Sequence, residues 1–428
     1  LARILRTAME TLQADGRYLP LSDTMVTGRP SPNIFEIGLR HYPDLFAGTL
    51  ALFDAEYRPA EYAVCHLSAA DIAAVRGPVL PETVFPDWGT AVLRHGDSVL
   101  AMPFNPPGNH RHADNLALYY ADRGQAILGE LGYVGDSAML GWGHTTLSHN
   151  LVVVDDQEQR FSERVPSLRL FAATPRVSVV EASSNAYARC TEYRRLVALI
   201  KGPGSATVAV DIFRVKGGTQ HAYRLFSELA ASDAQDGALT FAGVVLPEEK
   251  PLPNFGGSIA RAHVFGLRDQ RTAVPPAAWQ ATWAQAGRRY RLHVLGQADL
   301  VQASNGPGQE SRADVGRRLR YLDIINTGDD LSSTFVTLHE PEGPEGFPIT
   351  AAERLPVPPE AGPDAVALHI DSRWGRYLLF SDFANACEVA GVRCTGQFGI
   401  VATTSAGRTW RLICGESVWT GKITRHTA

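Results

Sequence analysis

The sequence predicts a helical segment followed by a large antiparallel β-sandwich, so the chain is mainly β within the α+β class. Two observations carry this prediction. Apolar residues recur at helical spacing before residue 80, whereas beyond it short alternating runs such as "TAVLRHGDSVLAM" are separated by Gly and Asp turns. Many short strands joined by hairpin turns favour an antiparallel sandwich over a βαβ fold. A length of 428 residues also exceeds what a single core usually fills.

The helical prediction rests on three stretches. "LARILRTAMETLQADG" has an apolar stripe that ends at Gly16, and "SPNIFEIGLRHYPDLFAGTLALFD" offers Asn33 as an N-cap with Glu36 three residues later. Pro43 should break or kink that second helix, and "SAADIAAVRG" predicts a third helix closed by Gly77.

The domain boundaries follow from the change of period. The proline-containing stretch "GPVLPETVFPDWG" (77–89) predicts a linker. We therefore expect a helical segment over 1–80 and a β-sandwich over 81–428, the latter subdivided near the Pro/Gly-rich region 340–363.

Composition excludes several classes of protein. A net charge of -5 and an isoelectric point near 6.2 argue against a nucleic-acid partner. No apolar run approaches the roughly 18 residues that a membrane span needs. The five cysteines form no C-x-x-C pattern, which excludes cysteine-rich zinc modules. Cys387 and Cys394 could pair across a hairpin, although free buried thiols are the favoured reading. Because the chain starts at Leu1, we expect a processed or truncated N-terminus.

The stretch "GNHRHADNLALYY" (108–120) predicts a metal site. In an extended strand His110, His112 and Asp114 share one face. Glu130 lies in the next predicted strand and His149 heads "HNLVVVDD", so three strands could bring His112, Glu130 and His149 around one ion. Zinc accepts this ligand type with an open fourth position. The alternative is that these histidines are ordinary surface or hydrogen-bonded residues and Glu130 a solvated turn carboxylate.

Three motifs in order give a more specific signal. "HRHAD", "GQAILGELG" and "HNLVVVDDQEQ" occur within the 75 residues 85–159. This region resembles the heparinase II/III-like polysaccharide lyases, which carry H-x-H-x-D, G-x-x-L-L-x-D-x-G and H-N-T-V-x-V-D-x-x-x-Q. The resemblance implies an α/α toroid followed by an antiparallel β-sandwich, with 1–80 as the end of the toroid and "DGRYLPLSDT" (15–24) near its close. Glu130 replaces the usual aspartate, and Leu151 replaces the usual threonine.

The resemblance also implies roles for individual residues. His112, Glu130 and His149 would hold a structural zinc, and His110 would reach into the substrate cleft and polarise a uronate carboxylate. Such enzymes cleave by β-elimination: a base removes the C5 proton, negative charge develops on the carboxylate, and the C4 oxygen departs. Groups placed at that carboxylate stabilise the developing charge. The family's catalytic tyrosine, with an asparagine and a histidine, is expected upstream of Leu1.

Further residues near the motifs are candidate substrate contacts. Asn109 and Arg111 could touch an anionic sugar, and Trp142 and His144 could stack on it and hydrogen-bond to it, although solvated or structural roles are the alternative. We expect Asp114 to support the site as a hydrogen-bond acceptor. His221 is predicted to be a core histidine, with a second cleft residue as the alternative.

Two functions from different classes remain open at this stage. The first is a periplasmic or secreted polysaccharide lyase acting on alginate or a glycosaminoglycan, with zinc as its cofactor. The second is a non-catalytic carbohydrate-binding or scaffold protein that keeps the lyase sandwich. An assay for the unsaturated product distinguishes them.

Overall fold

The computed structural model describes residues 1–56, 58–68, 80–108, 110–134, 140–160, 165–231, 240–242, 267–310, 314 and 316–414. A short helical segment precedes four antiparallel β-sheets, which confirms the predicted fold class. No helix within these ranges is both long enough and apolar enough to cross a bilayer.

The helices are short and lie mostly at the start of the chain. α2 ends at His41 and α3 begins at Pro43, so the predicted break at this proline is observed. α1 ends earlier than the predicted Gly16, and the third predicted helix lies outside the described residues from position 69 onward. The α-helices are α1 (Ala2–Glu10), α2 (Pro32–His41), α3 (Pro43–Phe46), α4 (Glu61–His66) and α5 (Leu140–Gly143), with 3-10 turns at Thr49–Glu56, Thr146–Ser148 and Pro359–Ala361.

The sequence predicts that Glu36 helps to cap the helix that contains it, and this prediction is wrong. Ser31, not Asn33, precedes α2. The buried Glu36 carboxylate instead accepts the backbone N–H groups of Ala60 at 2.9 Å and Ala63 at 3.2 Å. It therefore satisfies the free donors at the start of α4 and ties the two helices together.

Within the described residues, 23 strands form the four sheets. β1 lies inside the stretch predicted as a linker, so the linker prediction is wrong from residue 83 onward. The strands are β1 (Thr83–Phe85), β2 (Thr90–His95), β3 (Ser98–Pro103), β4 (Tyr119–Asp122), β5 (Gln125–Leu128), β6 (Val152–Val154), β7 (Pro166–Ala173), β8 (Val177–Ser184), β9 (Glu192–Lys201), β10 (Thr207–Lys216), β11 (Gln220–Ala231), β12 (Thr240–Ala242), β13 (Arg268–Ala273), β14 (Ala278–Gln285), β15 (Arg288–Leu295), β16 (Leu300–Pro307), β17 (Arg318–Thr327), β18 (Ser332–Pro341), β19 (Ile349–Leu355), β20 (Val366–Ser372), β21 (Gly375–Val389), β22 (Val392–Thr404) and β23 (Thr409–Cys414).

One sheet is central and is covered on both faces. The first sheet is β1-β2-β3-β4-β5, the central sheet is β12-β14-β15-β18-β10-β9-β8-β7, the third sheet is β13-β16-β17-β11-β6, and the C-terminal sheet is β19-β20-β21-β22-β23. On β9, Val197 and Leu199 join the core shared with the first and third sheets, whereas Leu196 and Ala198 join the core shared with the C-terminal sheet. This alternation is what a strand buried on both faces requires.

The C-terminal sheet starts at Ile349, inside the region where the sequence predicts a subdivision. The domain boundaries at 1–80 and 81–428 stay a proposal.

A buried arginine on the central sheet holds two loops in place. The Arg195 guanidinium pairs with both carboxylate oxygens of Asp211, at 3.0 and 2.5 Å. It also donates to the carbonyl oxygens of Leu116 at 2.6 Å and Asn150 at 2.7 Å. Those two carbonyls belong to the loops that carry His112 and His149, so the central sheet fixes the position of both loops.

Replacing Arg195 with Met should lower the free energy of unfolding by about 3–5 kcal/mol, because the buried Asp211 carboxylate loses its guanidinium partner and two carbonyls lose a donor. Urea unfolding followed by fluorescence measures the change. The matched control is Arg376→Met, since the Arg376 side chain is 79% exposed and its loss should change stability by no more than about 0.5 kcal/mol. Equal effects of the two substitutions would contradict this role of Arg195.

Candidate metal centre

The segment that carries His110, His112 and Asp114 is a loop, so the strand predicted here is wrong. β4 begins only at Tyr119. His110 and Leu116 have φ angles of 59° and 63°, in the left-handed region that an extended strand excludes. The candidate ligands therefore lie at the ends of strands, with Glu130 two residues beyond β5 and His149 three residues before β6.

The structure brings His112, Glu130 and His149 together. All three are buried, and one ligand-capable atom from each lies within 4.8 Å of the others. His149 Nδ1 is 2.7 Å from Glu130 Oε2, and the His112 and His149 ring centroids are 5.5 Å apart. Burial acts to lower the pKa of His149, but the charge of Glu130 and its hydrogen bond outweigh burial and raise that pKa.

This cluster fits a divalent metal. His149 Nε2 is buried and has no hydrogen-bond partner within the described part of the chain. A buried ring nitrogen left in that state is unfavourable, and a cation bound there would satisfy it. Two imidazoles and a carboxylate are donors that zinc accepts.

A second group of the same kind surrounds Asp23, which lies between α1 and α2. Asp23 Oδ2 is 2.7 Å from His110 Nδ1, and Asp23 Oδ1 is 3.1 Å from Nε2 of both His112 and His144. These contacts, that with His112 most of all, hold the pKa of the Asp23 carboxyl well below its usual range. Asp23, His112 and His144 also lie close enough together to hold an ion. Sequence reasoning missed Asp23, although it noted the segment 15–24 that contains it.

Asn150 was also missed, and it joins the three segments that carry the buried cluster. Its Nδ2 donates to the carbonyls of Leu118 at 3.1 Å and Gly129 at 2.7 Å, while its Oδ1 accepts from the Phe226 N–H at 2.7 Å. Leu118 ends the loop of His112, Gly129 precedes Glu130, and Asn150 itself follows His149. One buried amide thus sets the spacing of all three candidate ligands.

Gln159, the last residue of "HNLVVVDDQEQ", also hydrogen-bonds to the loop that carries His112. Its Oε1 accepts the Asn115 N–H at 2.8 Å, and its Nε2 donates to the Asn115 carbonyl at 3.0 Å. Asn115 in turn donates to the Asn105 carbonyl at 3.0 Å. These side-chain partners satisfy backbone groups that a strand ladder would otherwise pair, since β4 begins only at Tyr119.

The predicted substrate contacts have different outcomes. Asn109 lies outside the described residues. Arg111 is half-buried and lies 5.9 Å over the ring of Trp88; burial lowers its pKa, against the opposing charge of Asp114. His144 is 38% exposed, so it remains open to a ligand.

The prediction for Trp142 is wrong. The residue is 2% exposed and packs edge-on against Tyr321, with ring centroids 6.2 Å apart, so it cannot stack on a sugar. Trp88, which sequence reasoning missed, is the aromatic residue beside Arg111.

Two remaining predictions concern supporting residues. His221 is buried and contacts Ser333 Oγ and the Gly217 carbonyl, each at 2.8 Å, as expected of a core histidine. Asp114 is also buried and accepts a long hydrogen bond from Asn105 at 3.4 Å.

Comparison with known proteins identifies what this region is similar to. Residues 78–246 match the family described as Heparinase II/III-like, C-terminal, a span that includes both residue clusters except Asp23. The resemblance of this region to the heparinase II/III-like polysaccharide lyases is therefore confirmed. No curated protein matches the chain in sequence.

Two solved structures share the fold. The heparan sulfate lyase HepC from Pedobacter heparinus superposes with a TM-score of 0.57 at 13% identity, over 88% of this chain and 52% of that one. A heparinase III crystal structure gives a TM-score of 0.56 at 12% identity, over 89% of this chain and 54% of that one. The chain thus spans about half the length of these structures, and at this identity the likeness shows the fold alone.

Proposed function

We propose that this chain is part of a polysaccharide lyase that cleaves a uronic-acid-containing glycan by β-elimination. One observation carries the proposal: an exposed imidazole, His110, is anchored beside a buried cluster that fits a metal, in a domain of the heparinase II/III-like family. The superposed structures are named as a heparan sulfate lyase and a heparinase, which favours a glycosaminoglycan over alginate as the substrate class. A periplasmic or secreted location suits such a substrate.

His110 is the residue that meets the substrate in this proposal. Its side chain is 82% exposed, whereas His112, two residues later, is fully buried. The exposed ring can approach a uronate carboxylate and stabilise the charge that develops on it when the C5 proton leaves. Arg111 and His144 lie beside it as contacts for the same acidic sugar.

The buried cluster serves positioning rather than bond cleavage. His112, Glu130 and His149 would hold zinc, which when bound would cross-link the three loops that carry them. Because His112 is two residues from His110, a fixed His112 ring restricts where the His110 ring can lie.

Replacing His149 with Ala should abolish stoichiometric zinc binding, because the ligand with the unsatisfied Nε2 is gone. The thermal midpoint should fall as well. A free zinc concentration of 100 times the Kd stabilises the native state by about 2.7 kcal/mol, and the variant loses this contribution. Elemental analysis after dialysis and calorimetry with and without a chelator measure the two effects. His369→Ala, on the C-terminal sheet, is the control. Full zinc occupancy in His149→Ala would rule out the ligand assignment.

Replacing His110 with Ala should reduce formation of the unsaturated product by about 100-fold or more while leaving bound metal unchanged. The absorbance of the unsaturated uronate, followed with heparan sulfate and with alginate in the whole protein of which this chain is part, measures the rate. Unchanged turnover in His110→Ala would exclude the role given to this residue. A wild-type protein that binds the glycan but releases no unsaturated product would favour the non-catalytic carbohydrate-binding alternative.

A further inference from the structure

The carboxylate of Asp23 makes different contacts with its two oxygens. Oδ1 faces His112 and His144, whereas Oδ2 faces His110 Nδ1 at 2.7 Å. His110 is by far the most exposed of the three, at 82%, against 38% for His144 and 0% for His112. Asp23 therefore reaches from the helical segment to the most exposed of these three imidazoles.

A carboxylate can only accept a hydrogen bond, so the contact requires the proton of His110 to reside on Nδ1. Nε2 is then the ring nitrogen left for the substrate. If His110 becomes fully protonated, Nδ1 still donates to Asp23 and Nε2–H points outward. In both states Nε2 is the ring nitrogen that the contact with Asp23 leaves available.

We propose that Asp23 is a positioning residue for His110, which fixes the tautomer and direction of this ring for the lyase reaction. The catalytic part of this inference rests on the proposed function, whereas the tautomer depends only on the geometry. Holding an imidazole by a buried acidic partner is a known way to present its other nitrogen to a substrate.

The backbone conformation at His110 shows why the contact between Asp23 and His110, called the clamp below, is needed. Its φ of 59° lies in the left-handed region, which residues other than glycine adopt rarely and keep only when their surroundings hold them there. Its ring is mostly solvent-exposed, so packing does little to restrict it. The contact with Asp23 supplies the missing restraint.

Asp23 is itself held firmly. Its side chain is 18% exposed and is flanked by His112 and His144. The next residue, Thr24, accepts the Tyr133 N–H at 3.1 Å, and Tyr133 follows Glu130 by three positions. This hydrogen bond joins the helical segment to the loop after β5 and restrains the backbone that carries the Asp23 carboxylate.

Service as a metal ligand is the competing role for Asp23, because Oδ1 lies near two imidazole nitrogens. Positioning is favoured because the shortest contact of Asp23 is made by Oδ2 to His110, which belongs to neither potential metal group. The two roles predict different results for the metal content of an Asp23 variant.

The test compares Asp23→Asn with wild type in the intact protein. Asn keeps the size of the side chain and removes its charge. Long-range ¹H–¹⁵N correlation spectra of histidine-labelled protein, with His110 assigned from His110→Ala, report which ring nitrogen carries the proton. The matched control is Asp15→Asn, since Asp15 lies in the same segment, is 31% exposed and pairs with Arg17 at 2.6 Å.

We expect His110 to be protonated on Nδ1 in wild type and in Asp15→Asn, and to lose this preference in Asp23→Asn with zinc content unchanged. In the active enzyme kcat should fall about 10- to 100-fold with KM nearly constant. The loss should vanish when Asp23→Asn is combined with His110→Ala, because the two residues act through one ring.

Three results would overturn the inference: an unchanged tautomer in Asp23→Asn, loss of zinc in that variant, or additive effects in the double variant. The tautomer can be read without turnover. A wild-type protein with the Nδ1 proton but no lyase activity would therefore refute the proposed function and leave the clamp intact.

Discussion

The arrangement of the site depends on one buried amide, that of Asn150, working with the guanidinium of Arg195. Asn150 bonds to the loop of His112, to the residue before Glu130 and to β11, and Arg195 bonds to the Asn150 carbonyl and to the same loop. Each buried carbonyl left without a donor would be unfavourable by about 1–3 kcal/mol. The three loops consequently have few alternatives to the conformation that gathers their imidazoles and carboxylate.

This constraint explains why irregular loops can form a precise site. A ligand set on one sheet face would derive its geometry from the strand ladder. Here the ligands lie in loops next to β4, β5 and β6, outside the strand ladder. Hydrogen bonds from the Asn150 side-chain amide fix these loops instead. The site thus has a rigid interior, formed by His112, Glu130 and His149, and an exposed residue, His110, held from outside by Asp23. The buried hydrogen bonds of Asn150 and Arg195 favour this arrangement over its competitors.

Much of this could be predicted from the sequence, for identifiable reasons. Hydrophobic period distinguishes helix from strand over long stretches, so the helix-then-sheet order was recovered, as was the break at Pro43. The ordered motifs identified the residues 112, 130 and 149 that the structure gathers. The left-handed backbone at His110 and Leu116 does not change the hydrophobic pattern of the sequence. The loop was therefore predicted as a strand. The burial of Trp142 depends on Tyr321, far away in the chain. Asp23 meets His110 across 87 residues, a contact that spacing alone cannot reveal.

The central claim is that three loops, held by Asn150 and Arg195, gather two imidazoles and a carboxylate around a metal. Anomalous diffraction collected on both sides of the zinc absorption edge, from crystals grown with zinc, tests it most directly. The account predicts one strong peak bounded by the side chains of His112, Glu130 and His149. A map with no peak among these three residues, or with its strongest peak elsewhere, would contradict it.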